Sequence, residues 1–243
     1  MADFSAEDMH HSEDWLSSRW FFRSVLAVAA LALVSLSLTL FGGRLSALLD
    51  TATYSETTSP HWVTIGLDRL AVEENAFRFA RQRQDGAASR LDLVVSWPEM
   101  TGFSAETRLR FTDPAQAPGL LFLQLTQSVM SRDMSGRMGP IYAQLFEGAE
   151  EAGPFGLTIH RFRKGAGYDG EIMYSAPRPG QPDYAVRCID AANGAFQITA
   201  DCQRDLHLGR DLTVLYRFSS RHLQEWRAID EAVQRYVTAR LKP

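Results

Sequence analysis

One stretch constrains this chain more than any other. Ser24 to Gly42, SVLAVAALALVSLSLTLFG, carries no charge, no Asn, no Gln and no Pro. About 20 apolar residues are what a helix needs to cross the hydrocarbon of a bilayer. The charges stop at Arg23 and resume at Arg44, with Trp15, Trp20, Phe21 and Phe22 before the run and Phe41 near its end. Aromatic rings favour the headgroup level, where an apolar body meets a polar edge. The reading is a transmembrane anchor over residues 24–43. A cleavable signal peptide is the competing reading, but its apolar core runs to about 7–15 residues before a small-x-small cleavage site. This run is longer, and Leu45-Ser46-Ala47 is a poor cleavage site. A buried core helix would also be apolar, but the isolated N-terminal position argues against it.

Lys and Arg near the ends set the orientation. Arg19 and Arg23 precede the run, Arg44 follows, and the next basic residue is Arg69. That bias gives a short cytoplasmic tail, residues 1–23, and a large domain on the other side. The expected address is a bacterial inner membrane with the C-terminal domain in the periplasm. The tail is polar and acidic, and its adjacent His10 and His11 lack the further ligands of a metal site. Residues 44–60, ending DTATYSETTSP, read as a linker, and the domain occupies 61–243.

Beyond the linker the hydrophobic pattern is mostly period two, the mark of strands with one buried face. Strands are expected at 62–67, 70–79, 90–97 (ended by Pro98), 107–111, 119–128, 155–163, 171–175, 184–190, within 195–208, and at 212–218. The stretch 119–128, GLLFLQLTQS, is the most apolar and is expected to be central. Residues 82–88, with Asp85-Gly86, read as a turn, and 141–150 as a short helix bearing Glu147, Glu150 and Glu151 on its solvated side. A C-terminal helix is expected over 219–241, burying Leu223, Trp226, Ile229, Val233 and Tyr236 at helical spacing. The fold class is β-rich α+β: an antiparallel sandwich or partly open barrel with the C-terminal helix packed on it.

Cys188 and Cys202 are the only cysteines. They lie in neighbouring expected strands around Asn193-Gly194, a strong hairpin signal because both positions tolerate positive φ. Outside the cytoplasm such a pair is oxidised, so a disulfide is expected. Two separate buried thiols are the alternative. Closely spaced, low-pKa cysteines of a redox catalyst are missing.

A family resemblance rests on Ile65-Gly66, Leu70, Val72, Asn75, Arg78, Arg81, Arg90-Leu91-Asp92-Leu93, Trp97-Pro98 and Gly102-Phe103. It continues at Cys188, Cys202, Tyr216-Arg217-Phe218-Ser219, Leu223 and Trp226. Together these resemble the uncharacterised "transmembrane anchored" proteins of alphaproteobacteria, rhizobia especially. The resemblance spans most of the chain and implies an envelope location. It brings no activity, cofactor or catalytic residue with it.

The chemistry-bearing patterns are sparse. The six histidines show no His-x-His or His-x-x-x-His spacing. Gly165-Ala166-Gly167-Tyr168-Asp169-Gly170 matches Gly-x-Gly-x-x-Gly, but in a hairpin-like turn without the following helix that receives a phosphate. No Gly-x-Ser-x-Gly is present. No catalytic residue, cofactor or metal ligand is therefore expected. A formal net charge of -4 gives no basic footprint for nucleic acid. The basic groups His160, Arg161, Arg163, Lys164 and Arg78, Arg81, Arg83 could attract an anionic envelope polymer or lipid headgroup, although solvated strand ends explain them better. The Met-rich segment supplies the preferred partner contact: Met130, Met134, Met138, Tyr142 and Phe146. The expected role is a non-enzymatic accessory protein binding an envelope protein or polymer. The alternative is an envelope hydrolase whose residues converge only in three dimensions.

Overall fold

The structure is a computed structural model describing residues 18–51, 54–190 and 200–242. The chain divides into two units, Met1–Leu49 and Asp50–Pro243. In the first, helix α1 (Ser18–Thr51) contains Trp20–Ser37, an 18-residue window of mean hydropathy 1.8 with none of its residues buried. Its length and composition suffice to cross a membrane. The helix continues to Thr51, well into the expected linker.

The second unit is α+β and β-rich. Its elements are β1 (Pro60–Ile65), β2 (Asp68–Glu73), β3 (Gly86–Ala87), β4 (Arg90–Ser96), α2 (Arg108–Thr112), β5 (Leu120–Gln127), β6 (Phe146–Ala152), β7 (Thr158–Phe162), β8 (Glu171–Arg178), β9 (Gln181–Ile189), β10 (Cys202–Leu208), β11 (Leu212–Phe218), α3 (Trp226–Thr238) and β12 (Leu241–Lys242). They form a four-stranded sheet, β12-β2-β1-β3, and an eight-stranded sheet, β4-β5-β11-β10-β9-β8-β7-β6. The pairs are antiparallel except β1 with β3. Neither sheet closes into a barrel.

One apolar cluster holds side chains from both sheets and from α3, among them Ile65, Leu70, Leu123, Val214, Tyr216, Trp226, Ile229 and Val233. All five residues of the expected C-terminal stripe are buried. A single 3-10 stretch, Ser220–Glu225, leads into α3, with the Ser219 hydroxyl accepting from Arg221 N–H. The Leu70 strand ends earlier than its alternation suggested, at Glu73. Buried Asn75 turns the chain there and donates to Phe103 O at 3.1 Å.

Three expectations are corrected. Thr107–Phe111 alternates like a strand but is helical from Arg108. Ser104 and Thr107 exchange side-chain bonds that start a turn, Pro114 follows, and among the described residues no strand pairs with it. Residues 141–150 form one 3-10 turn (Tyr142–Gln144) and then β6, because pairing with β7 outweighs the helical pattern and Gly148, at φ +73°, has left-handed geometry. β5 is apolar without being central: it lies one strand from the edge, between β4 and β11.

Candidate functional site

Along β7, β8 and β9 successive side chains alternate between the sheet's two faces. Tyr184, Val186 and Cys188 enter the main core, while Ala185 of β9, Met173 of β8 and Phe162 of β7 lie on the other face and form a second cluster with Met134 and Tyr142. Met138 and Phe146 are partly buried against it. Four of the five expected contact residues therefore carry packing. Met130 is 49% exposed, and beside it Val129 is 94% exposed.

Between the two clusters runs a buried polar network. Among the described residues β9 and β10 pair in register at Cys188↔Cys202 and Arg187↔Gln203. Beyond that point the Ala185 carbonyl accepts not from a strand but from Arg204 Nη1, at 2.8 Å. The same nitrogen donates to Ser135 Oγ at 2.8 Å, and Arg204 Nε donates to Asp230 Oδ1 on α3 at 2.8 Å. Asp230 also accepts from Tyr216 (2.8 Å), Arg178 (2.9 Å) and Gln234 (3.0 Å). Arg204 thus ties α3, the sheet and the Met-rich segment together. A second link is Arg137 Nη2 to Asp205 Oδ1 at 2.5 Å. Burial pushes the Tyr184 and Tyr216 phenols well above their ordinary range. Apart from Tyr216, which the resemblance includes, none of these residues was singled out from sequence. The available signal was parity: Arg204 falls between Cys202 and Leu206 on one strand face, and Asp230 falls one turn after Trp226.

His160, expected at a solvated strand end, is buried. Phe146 stacks on its ring at 4.7 Å, and Nε2 lies 2.7 Å from Ser175 Oγ. Glu150 Oε1 is 3.7 Å from Nδ1. This is the outline of a nucleophile, base and orienting carboxylate. Two features withhold the chemistry. Glu150 is exposed and stands beyond hydrogen-bond distance of Nδ1, so it does not orient the ring, which burial keeps neutral. Ser175 pairs with Thr158 on one side and Ala185 on the other, so the local amides are committed to ladders rather than free to hold an oxyanion. A serine and a histidine on diagonal positions of adjacent strands are held as a structural pair.

A cavity of about 680 Å³ opens at the β7–β8 turn, walled by Glu147, Arg161, Lys164, Tyr168, Asp169 and Asp190 among others. Tyr168 stacks on Phe162 at 4.5 Å. Arg161 is taken by Glu151 at 2.7 Å and Asp190 at 3.4 Å. Burial raises the Glu171 carboxyl, against the opposing pull of its partner Arg187. Among the described residues no cluster of three or more His, Cys, Asp or Glu has the geometry to hold a metal ion.

Cys188 and Cys202 are bonded as a disulfide, directly opposite in the β9–β10 register and buried. The Asn193-Gly194 turn lies outside the described residues.

No family model matches the chain, and no curated protein does. Two solved structures align with it. An immunity protein of the Stenotrophomonas maltophilia type IV secretion system aligns over 77% of this chain and 95% of its own, with a TM-score of 0.54 and 13% identity. The Neisseria meningitidis iron-regulated outer membrane lipoprotein FrpD aligns over 76% and 94%, with a TM-score of 0.44 and 10% identity. At these identities the first likeness is one of fold.

Proposed function

We propose that this chain is a membrane-anchored binding protein of a bacterial envelope, with its disulfide-bonded domain in the periplasm and an envelope protein as its partner. Trp20–Ser37 carries the reading: it is an 18-residue helical window of mean hydropathy 1.8, with none of its residues buried. A core helix would be covered, so this one needs a lipid environment or removal as a signal. The Cys188–Cys202 bond fits an oxidising compartment. The resemblance to the "transmembrane anchored" proteins of alphaproteobacteria supports the same address. A fold held in common with a secretion-system immunity protein supports protein recognition as the role. An anionic polymer is a poorer ligand, because the 680 Å³ cavity sets Glu147, Asp169, Glu171 and Asp190 against Arg161 and Lys164.

Maleimide labelling of Cys188 and Cys202 in intact cells, spheroplasts and lysates, with and without reduction and alongside the apparent mass, tests the address. A full-length chain whose thiols in lysates label only after reduction is the expected result. Free thiols that react only once the inner membrane is opened would sink the periplasmic reading, and a shortened chain would sink the anchor.

A further inference from the structure

The eight-stranded sheet ends in two edges that the chain treats differently. At β4 the backbone is occupied: Phe77 bridges Leu93, and Arg78 N–H donates to Asp92 O at 2.9 Å. Gln82 adds a clamp, its Oε1 accepting from Asp92 N–H at 3.0 Å and its Nε2 donating to Arg90 O at 3.2 Å. At the other edge, among the described residues, β6 has a backbone ladder only with β7. Every residue from Glu147 to Ala152 is exposed. The edges of the smaller sheet, β12 and β3, are two residues each, so among the described residues the seven-residue β6 is the longest uncovered edge. An uncovered edge presents unpaired N–H and C=O groups to any extended chain.

The charge on this edge restricts who can pair with it. Of Glu147, Glu150 and Glu151, the last is neutralised by Arg161 at 2.7 Å. Glu150 stands 3.7 Å from His160, whose charged form burial disfavours, and Glu147 has no ion partner among the described residues. The bulge between Glu147 and Glu151 breaks up a long flat ladder, which leaves side-chain charge as the selective element. Glu147 also walls the 680 Å³ cavity beside Tyr168 and Asp169.

We infer that β6 is a docking edge for an extended segment of a partner protein carrying basic side chains, one of which enters the cavity between Glu147, Tyr168 and Asp169. The inference rests on the protein-binding reading above and names the chemistry of the partner. A second copy of this chain is the wrong occupant, since like charges placed opposite one another across strands repel. Addition of a strand to a sheet edge takes its affinity from the main chain and its specificity from alternate side chains.

The test uses the full chain in phosphatidylcholine nanodiscs and three short fluorescent peptides: alternating Lys and Thr, the same charge with Pro replacing Thr, and alternating Glu and Thr. The Lys–Thr peptide is expected to bind about tenfold tighter than its Pro counterpart, a difference that salt reduces. Glu147→Lys with Glu150→Lys, both at exposed positions, removes that binding and admits the Glu–Thr peptide, while the melting temperature stays unchanged. Equal binding of the two Lys peptides, or unaltered selectivity in the folded double variant, overturns the inference. Photocrosslinkers at Ala149 and at Val129 in cells separate the two levels. An Ala149 adduct abolished by the double variant supports β6. Adducts from Val129 alone overturn β6 and leave the protein-binding reading standing. No adduct from either position overturns both.

Discussion

Arg204 of β10 and Asp230 of α3 meet at 2.8 Å with side chains 0% and 4% exposed. The pair fixes α3 to the point where β9 and β10 stop pairing. Asp230→Asn leaves the buried Arg204 without its carboxylate, a change that destabilises by about 3–5 kcal/mol, while Arg204→Met leaves Asp230 paired with Arg178 and costs less. Urea titration of each variant in detergent should show these losses. The double variant should lose less than the two singles added together. Additive losses would show that the pair does not act as one unit.

The disulfide closes a sequence separation of 14 residues. By the chain-entropy relation a loop of that size stabilises by about 3 kcal/mol. Replacing both cysteines with alanine should lower the unfolding midpoint accordingly. Because both sulfurs lie in the core, reduction of the wild type should be slow until denaturant is added. Rapid reduction under native conditions would contradict their burial.

His160 gives a pH dependence with a definite sign. Burial lowers its folded pKa below the ordinary histidine value of about 6.5, so between those two values the unfolded chain binds the extra proton. Stability therefore falls as pH drops through 6.5 towards the folded value. Glu171 acts oppositely: its raised pKa makes the folded state the better proton binder above 4.5, so stability falls as pH rises through that window. Melting temperatures between pH 7.5 and about 5 should fall less steeply in His160→Gln than in the wild type. Parallel curves would refute the assignment.

Ser175 should not behave as a nucleophile. Its hydroxyl is 2.7 Å from His160, yet the surrounding amides belong to the sheet. A fluorophosphonate probe at neutral pH is expected to leave it unlabelled. Labelling that disappears in both Ser175→Ala and His160→Gln would revive the hydrolase alternative.

Gly102 packs where no side chain fits. A Cβ there would lie 2.5 Å from the backbone C and O of Asn75, and Asn75 is itself fixed by its bond to Phe103 O. Gly102→Ala should destabilise by about 1–3 kcal/mol in a denaturant titration. An unchanged midpoint would mean that the Asn75 turn relaxes freely.

The sequence by itself determined the features that depend on local pattern. An uncharged run of that length dictates an exposed apolar helix, period-two alternation dictates most of the strands, and the spacing of Trp226, Ile229, Val233 and Tyr236 dictates the buried stripe of α3. It also placed Cys188 and Cys202 on neighbouring strands, and pairing in register then joined them. Tertiary structure decided what depends on neighbours distant along the chain. Residues 141–150 became a turn and β6 because β7 was there to pair with, and the chain from Arg108 to Thr112 became helical where no described strand pairs with it. Met134 and Tyr142 became core because β7, β8 and β9 offered them an apolar face. Arg204 and Asp230 lie 26 residues apart, and Arg204 and Ser135 lie 69 apart. A buried charge is stable only beside its partner, and no local pattern records where a distant partner will stand.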